Sequence, residues 1–179
     1  MAHPVFTASI VSGPVKIKAS STGSSSDSAT IEIGQWNLQE LSTGAHYSLT
    51  GDIAGQHTQN HFGKAQHFDM IRKLADSYYA KFNEGPTFND TSLPLGGLYD
   101  VDSLHHWSAP HQSHGEGRST DFKTIGLDSA RVRFVRRFWE RCEKLGCYLG
   151  DETIIKEPGR PPRPNLTNPH YHLTFGPID

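Results

Sequence analysis

Apolar and polar side chains alternate along the first part of the chain, so "PVKIKAS" and "ATIEIGQW" read as β-strands and "SSTGSSSDS" between them as a turn or loop. Two or three strands do not close a sandwich by themselves. Residues 1–36 are therefore expected to be an N-terminal β segment or the remnant of a preceding β module, with the main domain over 37–179. Within "NHFGKAQHFDMIRKLADSYYAKFNEGP" the period lengthens, and Phe68, Ile71, Ala75, Tyr78 and Phe82 recur at steps of three and four. That spacing predicts a helix of roughly five turns, ended by Gly85 and Pro86. Residues 87–110 hold Pro94, Gly96, Gly97 and Pro110 among short apolar pieces, the mark of loops and short strands. A second helix is predicted at about 128–145, capped by Asp128 or Ser129. Its buried stripe is Val132, Val135, Phe138, Trp139, Cys142 and Leu145. Beyond Gly146, "YLGDETIIKEP" reads as a strand or hairpin, "GRPPRPNLTNP" as a proline-stiffened loop and "HYHLTF" as the last strand. Helices segregated from short strands predict an α+β fold: a small central antiparallel sheet flanked by two main helices, with the N-terminal β segment added.

Composition narrows the class. The chain has 179 residues, enough for one domain with a real core, and its 35% apolar and 20% charged residues suit a globular fold. The formal net charge is −2. The one basic concentration, Arg131, Arg133, Arg136, Arg137 and Arg141, lies at helical spacing and reads as a solvated helix face, so no nucleic-acid partner is expected. No run of about 18 apolar residues is present, so no membrane span is expected. The start "MAHPVFTASI" lacks the basic region and apolar stretch of a signal peptide, and the sequence reads as part of a longer polypeptide. Cys142 and Cys147 are the two cysteines; their spacing suits either free thiols or a local bridge, and a cysteine-based zinc site is excluded.

The candidate chemistry lies in two stretches. In "HQSHGEGRSTDF", His114 and Asp121 flank a segment whose glycines let the backbone turn, so that side chains seven apart can converge on one ion. In "NPHYHLTF", His170 and His172 stand two apart on a strand and share a face; one can bind metal while the other stays beside it as a base. A hydrolytic zinc site takes three ligands from His, Asp or Glu and keeps a fourth position for water. His3, His46, His57, His61, His67, His105 and His106 read as structural or solvated, although His61, with His111, is also a candidate donor near the site. Glu116 is an alternative ligand or base, and its place inside the glycine turn favours a solvated side chain.

"SHGEGRSTD" resembles the SHxxGxxxD stretch of zinc peptidases grouped with lysostaphin and the D-alanyl-D-alanine carboxypeptidases, and "HYH" resembles their downstream HxH. The longer "PHQSHGEGRSTDF" is most similar to the HxSHxxGxxxD pattern of penicillin-insensitive murein endopeptidases. "NHFGKAQHFDMIRKLADSYY" followed by "NDTSLPLGG" is similar to a helix and SLPxGG loop of that family. The resemblance covers roughly residues 59 to 176. It departs at Thr167, where the family has a further histidine three residues before the HxH.

The resemblance implies that His114, Asp121 and His172 hold Zn2+ and that His170 is the catalytic base. His111 would face substrate or stand behind the ligands, and Ser113 would support the ligand segment. Arg118 could meet a substrate carboxylate. The implied activity is hydrolysis of peptide bonds in bacterial peptidoglycan, in cross-links or stem peptides, in the periplasm or outside the cell. The alternative is a non-catalytic zinc-binding module of hedgehog-like fold that binds a ligand or the wall. The oligomeric state is not legible in these residues.

Overall fold

A computed structural model describes residues 12–20, 22–23, 25–52, 59–97, 99–100, 107–108, 112–155, 161–165 and 167–176. Strands β1 (Gly13–Ala19) and β2 (Asp27–Ile33) come first, then β3 (Gln39–Glu40), β4 (Ser48–Leu49), β5 (Phe62–Gly63) and the long helix α1 (Ala65–Phe82). Strands β6 (Thr87–Phe88), β7 (Tyr99–Asp100) and β8 (Trp107–Ser108) lead to the one-turn helix α2 (Gln112–Gly115) and to β9 (Ser119–Lys123). Helix α3 (Ser129–Arg141) and a 3₁₀ turn (Glu143–Leu145) precede β10 (Cys147–Asp151), β11 (Ile154–Ile155), β12 (Arg163–Pro164) and β13 (His170–Phe175).

The fold is α+β, with a five-stranded sheet in the order β10-β13-β9-β6-β4. Its β10–β13, β13–β9 and β9–β6 pairs are antiparallel, as expected, while the edge pair β6–β4 is parallel and makes the sheet mixed. The β1–β2 hairpin forms a two-stranded sheet and is largely exposed. Its base is tied to the turn near Leu95 by Gln35 N–H donating to the Leu95 carbonyl at 2.7 Å and by the Ser12 hydroxyl donating to the Gly96 carbonyl at 2.6 Å.

Both main helices form where apolar periodicity places them. Helix α1 buries Phe68, Met70, Ile71, Leu74, Ala75 and Tyr78. It stops at Phe82, three residues before the predicted glycine, because Asn83 adopts the left-handed conformation (φ 54°) and gives its N–H to the Tyr79 carbonyl. Asp128 caps α3 by accepting from the N–H groups of Ala130 and Arg131, both at 2.9 Å. The predicted second helix runs too far at its C-terminal end. Its last residues tighten into the 3₁₀ turn, which takes Leu145 out of helical phase and leaves it exposed. Gly146 (φ 90°) then reverses the chain into β10. Cys142 and Cys147 are free thiols, and burial beside Cys142 pushes the Cys147 thiol up to about 12.

The core lies between these helices and one face of the sheet: Phe68, Ile71, Leu74, Tyr78, Val135 and Trp139 meet Phe88, Phe122, Tyr171 and Leu173. The Trp139 indole N–H donates to the carbonyls of Tyr148 and Thr174, fastening α3 across two strands. Since strand side chains alternate, burying Phe122, Tyr171 and Leu173 against the helices commits Asp121, His170 and His172 to the opposite face.

Phe122 has ring contacts with Tyr78, Phe88 and Tyr171 and is fully buried. Phe122→Ala should lower unfolding free energy by about 3–5 kcal/mol, whereas the exposed Ile125→Ala should cost less than about 0.5 kcal/mol. Urea unfolding of both variants checks this, and equal losses would contradict the placement of the core.

Candidate metal centre

Pairing between β9 and β13 sets His172 directly opposite Asp121. Cross-strand partners share a face, so the His172 Nδ1 atom comes within 2.7 Å of Asp121 Oδ1. His114 arrives from α2. Gly117, at φ 68°, turns the chain back under it, and a Cβ there would stand 2.6 Å from Leu38 Cδ2. This is the turn that the glycines between His114 and Asp121 predict. His114 is fully buried, with Nε2 at 3.1 Å from both Asp121 Oδ1 and His172 Nδ1.

Hydrogen bonds behind these rings fix which nitrogen is bare. His114 Nδ1–H donates to the Thr91 carbonyl at 2.7 Å, which leaves the Nε2 lone pair facing the cluster. His170 Nδ1–H donates to the Asn168 carbonyl at 2.8 Å. Its Nε2 lies 3.3 Å from His172 Nε2 and 3.8 Å from Asp121 Oδ2. On the outer side, Glu152 places Oε1 2.8 Å from His172 Nε2 and Oε2 3.5 Å from His170 Nε2.

Charge is concentrated here. Burial alone would raise the pKa of Asp121, but the imidazoles of His114 and His172 set against it hold its carboxyl far below the usual range. Burial works against the His172 imidazolium as well, yet the Asp121 carboxylate, aided by Glu152, pushes it up to about 9. A metal ion entering this set competes with that proton, so uptake weakens as pH falls.

His114, Asp121 and His172 can hold a metal ion. Each offers one ligand atom, and those atoms lie within 4.8 Å of one another. Their separations of 3.1, 3.1 and 2.7 Å are a few tenths below the ~3.3 Å between donors of a tetrahedral zinc site. Asp121 Oδ1 is buried and, despite these close contacts, has no hydrogen bond of good geometry. An unsatisfied carboxylate oxygen between two imidazoles is the donor set that a cation satisfies. Glu152, His170 and His172 form a second, more exposed group within the same distance limit.

No protein-family model matches this chain, and no curated protein does. What the site can do therefore rests on its own geometry.

The remaining candidate residues are expected around the metal ligands, not among them, apart from Glu116 as an alternative ligand. Arg118 pairs with Glu116 at 3.7 Å and lies against Gly176, so neither side chain belongs to the metal-holding groups. His61 is buried, 3.1 Å from the Thr50 carbonyl oxygen and 3.5 Å from Asp52 Oδ1, also outside those groups. His111 and the side chain of Ser113 lie outside the described residues. Glu152 belongs to neither of the two histidine motifs. The available signal was its place two residues beyond Gly150 in a predicted strand, which puts both on the face of His172. An open groove of about 630 Å³ between α1 and α3, lined by Lys81, Arg133, Phe134, Arg137, Phe138 and Arg141 among others, holds none of these imidazoles. Among the described residues no helix is long and apolar enough to cross a membrane.

His67 supports the centre from the core side. Its Nε2 is 2.7 Å from Thr120 Oγ1, which is 3.0 Å from Thr91 Oγ1, and the Thr91 carbonyl holds His114. Burial lowers the His67 pKa to about 3. The unfolded chain thus takes up a proton near the ordinary pKa of about 6.5 that the folded chain refuses until about 3. Stability from this group is complete above the upper value and is lost as pH falls toward the lower. His67→Gln, which keeps a donor for Thr120, should lose less stability than wild type between pH ~7 and ~4.5 in chemical unfolding. Parallel losses would refute a neutral His67.

Proposed function

We propose that the chain is a zinc-dependent peptidase that hydrolyses amide bonds, and that its substrates are peptidoglycan cross-links or stem peptides encountered in the periplasm or outside the cell. The observation that carries the reading is the convergence of His114 Nε2, Asp121 Oδ1 and His172 Nδ1 around an oxygen that lacks a hydrogen bond. Among the described residues three ligands converge, the number that catalytic zinc sites take from the protein, whereas structural sites close with four. That difference favours hydrolysis over a non-catalytic zinc-binding module.

Two neutral imidazoles and one carboxylate leave net charge of about +1 with a divalent ion, which supplies Lewis acidity toward an amide carbonyl and acidifies water. His170 holds its Nδ1–H against the Asn168 carbonyl, so the Nε2 lone pair is the atom that accepts a proton from the attacking water and returns it to the leaving amine. The imidazole is buried, with its position fixed by β13. Asp121 keeps its carboxylate ionised through the proton transfer, because its pKa is held far below the working range. The peptidoglycan assignment rests on the similarity of "PHQSHGEGRSTDF" to murein endopeptidases.

Elemental mass spectrometry of the purified protein should find one zinc per chain, lost in His114→Ala, Asp121→Ala and His172→Ala; full occupancy in all three variants would sink the assignment. His170→Ala should keep its zinc and lose turnover by roughly 10²–10⁴-fold on purified cell-wall peptides. Zinc loss in that variant but not in His172→Ala would reverse the two strand roles.

A further inference from the structure

Among the described imidazoles of the candidate metal centre, His172 is held differently. His114 and His170 each give Nδ1–H to a backbone carbonyl. His172 has its Nδ1 turned inward to Asp121 and His114, and its Nε2 faces a side chain, Glu152 Oε1, at 2.8 Å. We propose that Glu152 is the positioning residue of this centre: it accepts the Nε2–H of His172, fixes the tautomer whose Nδ1 lone pair faces the metal, and draws that proton away from His170. The inference rests on the metal-binding reading above and assigns a role to a residue outside its ligand set.

Geometry supports this role on three counts. Nε2 of His172 lies between two acceptors, Glu152 Oε1 at 2.8 Å and His170 Nε2 at 3.3 Å, and the shorter, charge-assisted contact takes the proton. Without Glu152 the same N–H turns to His170 Nε2 and occupies the lone pair that the proposed base needs. Second, Glu152 is held in place. Its N–H donates to the His170 carbonyl at 3.1 Å, and its own carbonyl accepts from Asn165 Nδ2 at 2.9 Å. Next to it, Asp151 is clamped by Arg136, which also donates to the Tyr171 hydroxyl at 3.1 Å.

Third, the competing arrangement, a metal held by Glu152, His170 and His172, is the poorer site. One Nε2 atom cannot both donate to Glu152 and coordinate an ion. The Glu152 side chain is 53% exposed, against 5% for Asp121, so the inner set is the one whose unsatisfied charge most needs a cation. A carboxylate on the far nitrogen of a metal-binding histidine fixes the ring and raises its basicity, and removing such a partner weakens metal binding about 10–100-fold.

The test uses the full chain as wild type, Glu152→Ala and Glu152→Gln. Competition against a chromophoric chelator should show zinc affinity down about 10–100-fold in Glu152→Ala, with most of it recovered in Glu152→Gln, which retains a neutral acceptor. In ¹¹³Cd-loaded, ¹⁵N-labelled wild type, cadmium should couple to Nδ1 of His172, and a slowly exchanging Nε2–H signal should be present. Glu152→Ala should lose that signal while the Nδ1–H of His114, on the Thr91 carbonyl, persists; general destabilisation would broaden both. Unchanged zinc affinity in Glu152→Ala, equal loss in Glu152→Gln, or cadmium coupling to Nε2 of His172 overturns the proposal. If Glu152→Ala fails to fold, Glu152→Gln and the wild-type coupling still decide it. A wild type that takes up neither zinc nor cadmium overturns the metal-binding reading and this role with it, whereas a failure confined to the Glu152 variants overturns this role alone.

Discussion

The candidate centre depends on one register, the antiparallel pairing that sets His172 opposite Asp121. A slip of β13 by one residue against β9 would exchange the faces of β13, bringing His170 and His172 into the core and Tyr171 and Leu173 into the cleft. What forbids the slip is the far side of the same strands. Phe122, Tyr171 and Leu173 are each about 1% exposed or less and are packed against Tyr78, Leu74 and Trp139. The apolar face thus supplies the energy and the polar face inherits the geometry, an economical way to hold a buried carboxylate within ion-pair distance of two imidazoles.

Burying a charged cluster is costly unless its members satisfy one another. Here the support is layered. Thr91 links two sides of the problem: its carbonyl orients His114, while its hydroxyl joins Thr120 and through it the buried His67 of α1. Helix and site are therefore coupled by hydrogen bonds as well as by packing. At the outer edge of the sheet, Arg136 of α3 reaches Asp151 and Tyr171, and so ties the same helix layer to the strand end that carries Glu152.

Much of this was legible in the sequence. The three- and four-residue spacing of Phe68, Ile71, Ala75 and Tyr78 gave α1, Asp128 gave the start of α3, and the HxH stretch gave β13 with both histidines on one face. The glycine-rich segment between His114 and Asp121 pointed to a turn, and Gly117 makes it. Local rules work where the cause is local. They miss Leu145, whose exposure follows from the requirement that Cys147 enter β10, and the parallel β4–β6 edge, which depends on where distant strands dock. They also miss Glu152, because nothing near it in the chain shows that β10 will lie beside β13. Arg118 and His61, expected to meet substrate rather than metal, are in contact with Glu116 in one case and with Thr50 and Asp52 in the other, partners that no motif spacing specifies.

The means of fixing each imidazole also divides the site by vulnerability. His114 and His170 are oriented by the carbonyls of Thr91 and Asn168, groups that every residue carries, so no substitution at those positions removes the acceptor itself unless it moves the backbone. His172 is oriented by two carboxylates, one on each nitrogen. The strand that carries it is constrained by a packed core, but its tautomer is constrained only by side chains, and those can be lost one residue at a time. A ring between two anions also retains a proton strongly, which is why its pKa rises to about 9 against the effect of burial. That proton pairs the ring with the inner carboxylate, and metal must compete with it rather than fill an indifferent cavity. His172 is thus the residue through which pH and metal uptake are connected, with its Nε2 3.3 Å from that of His170.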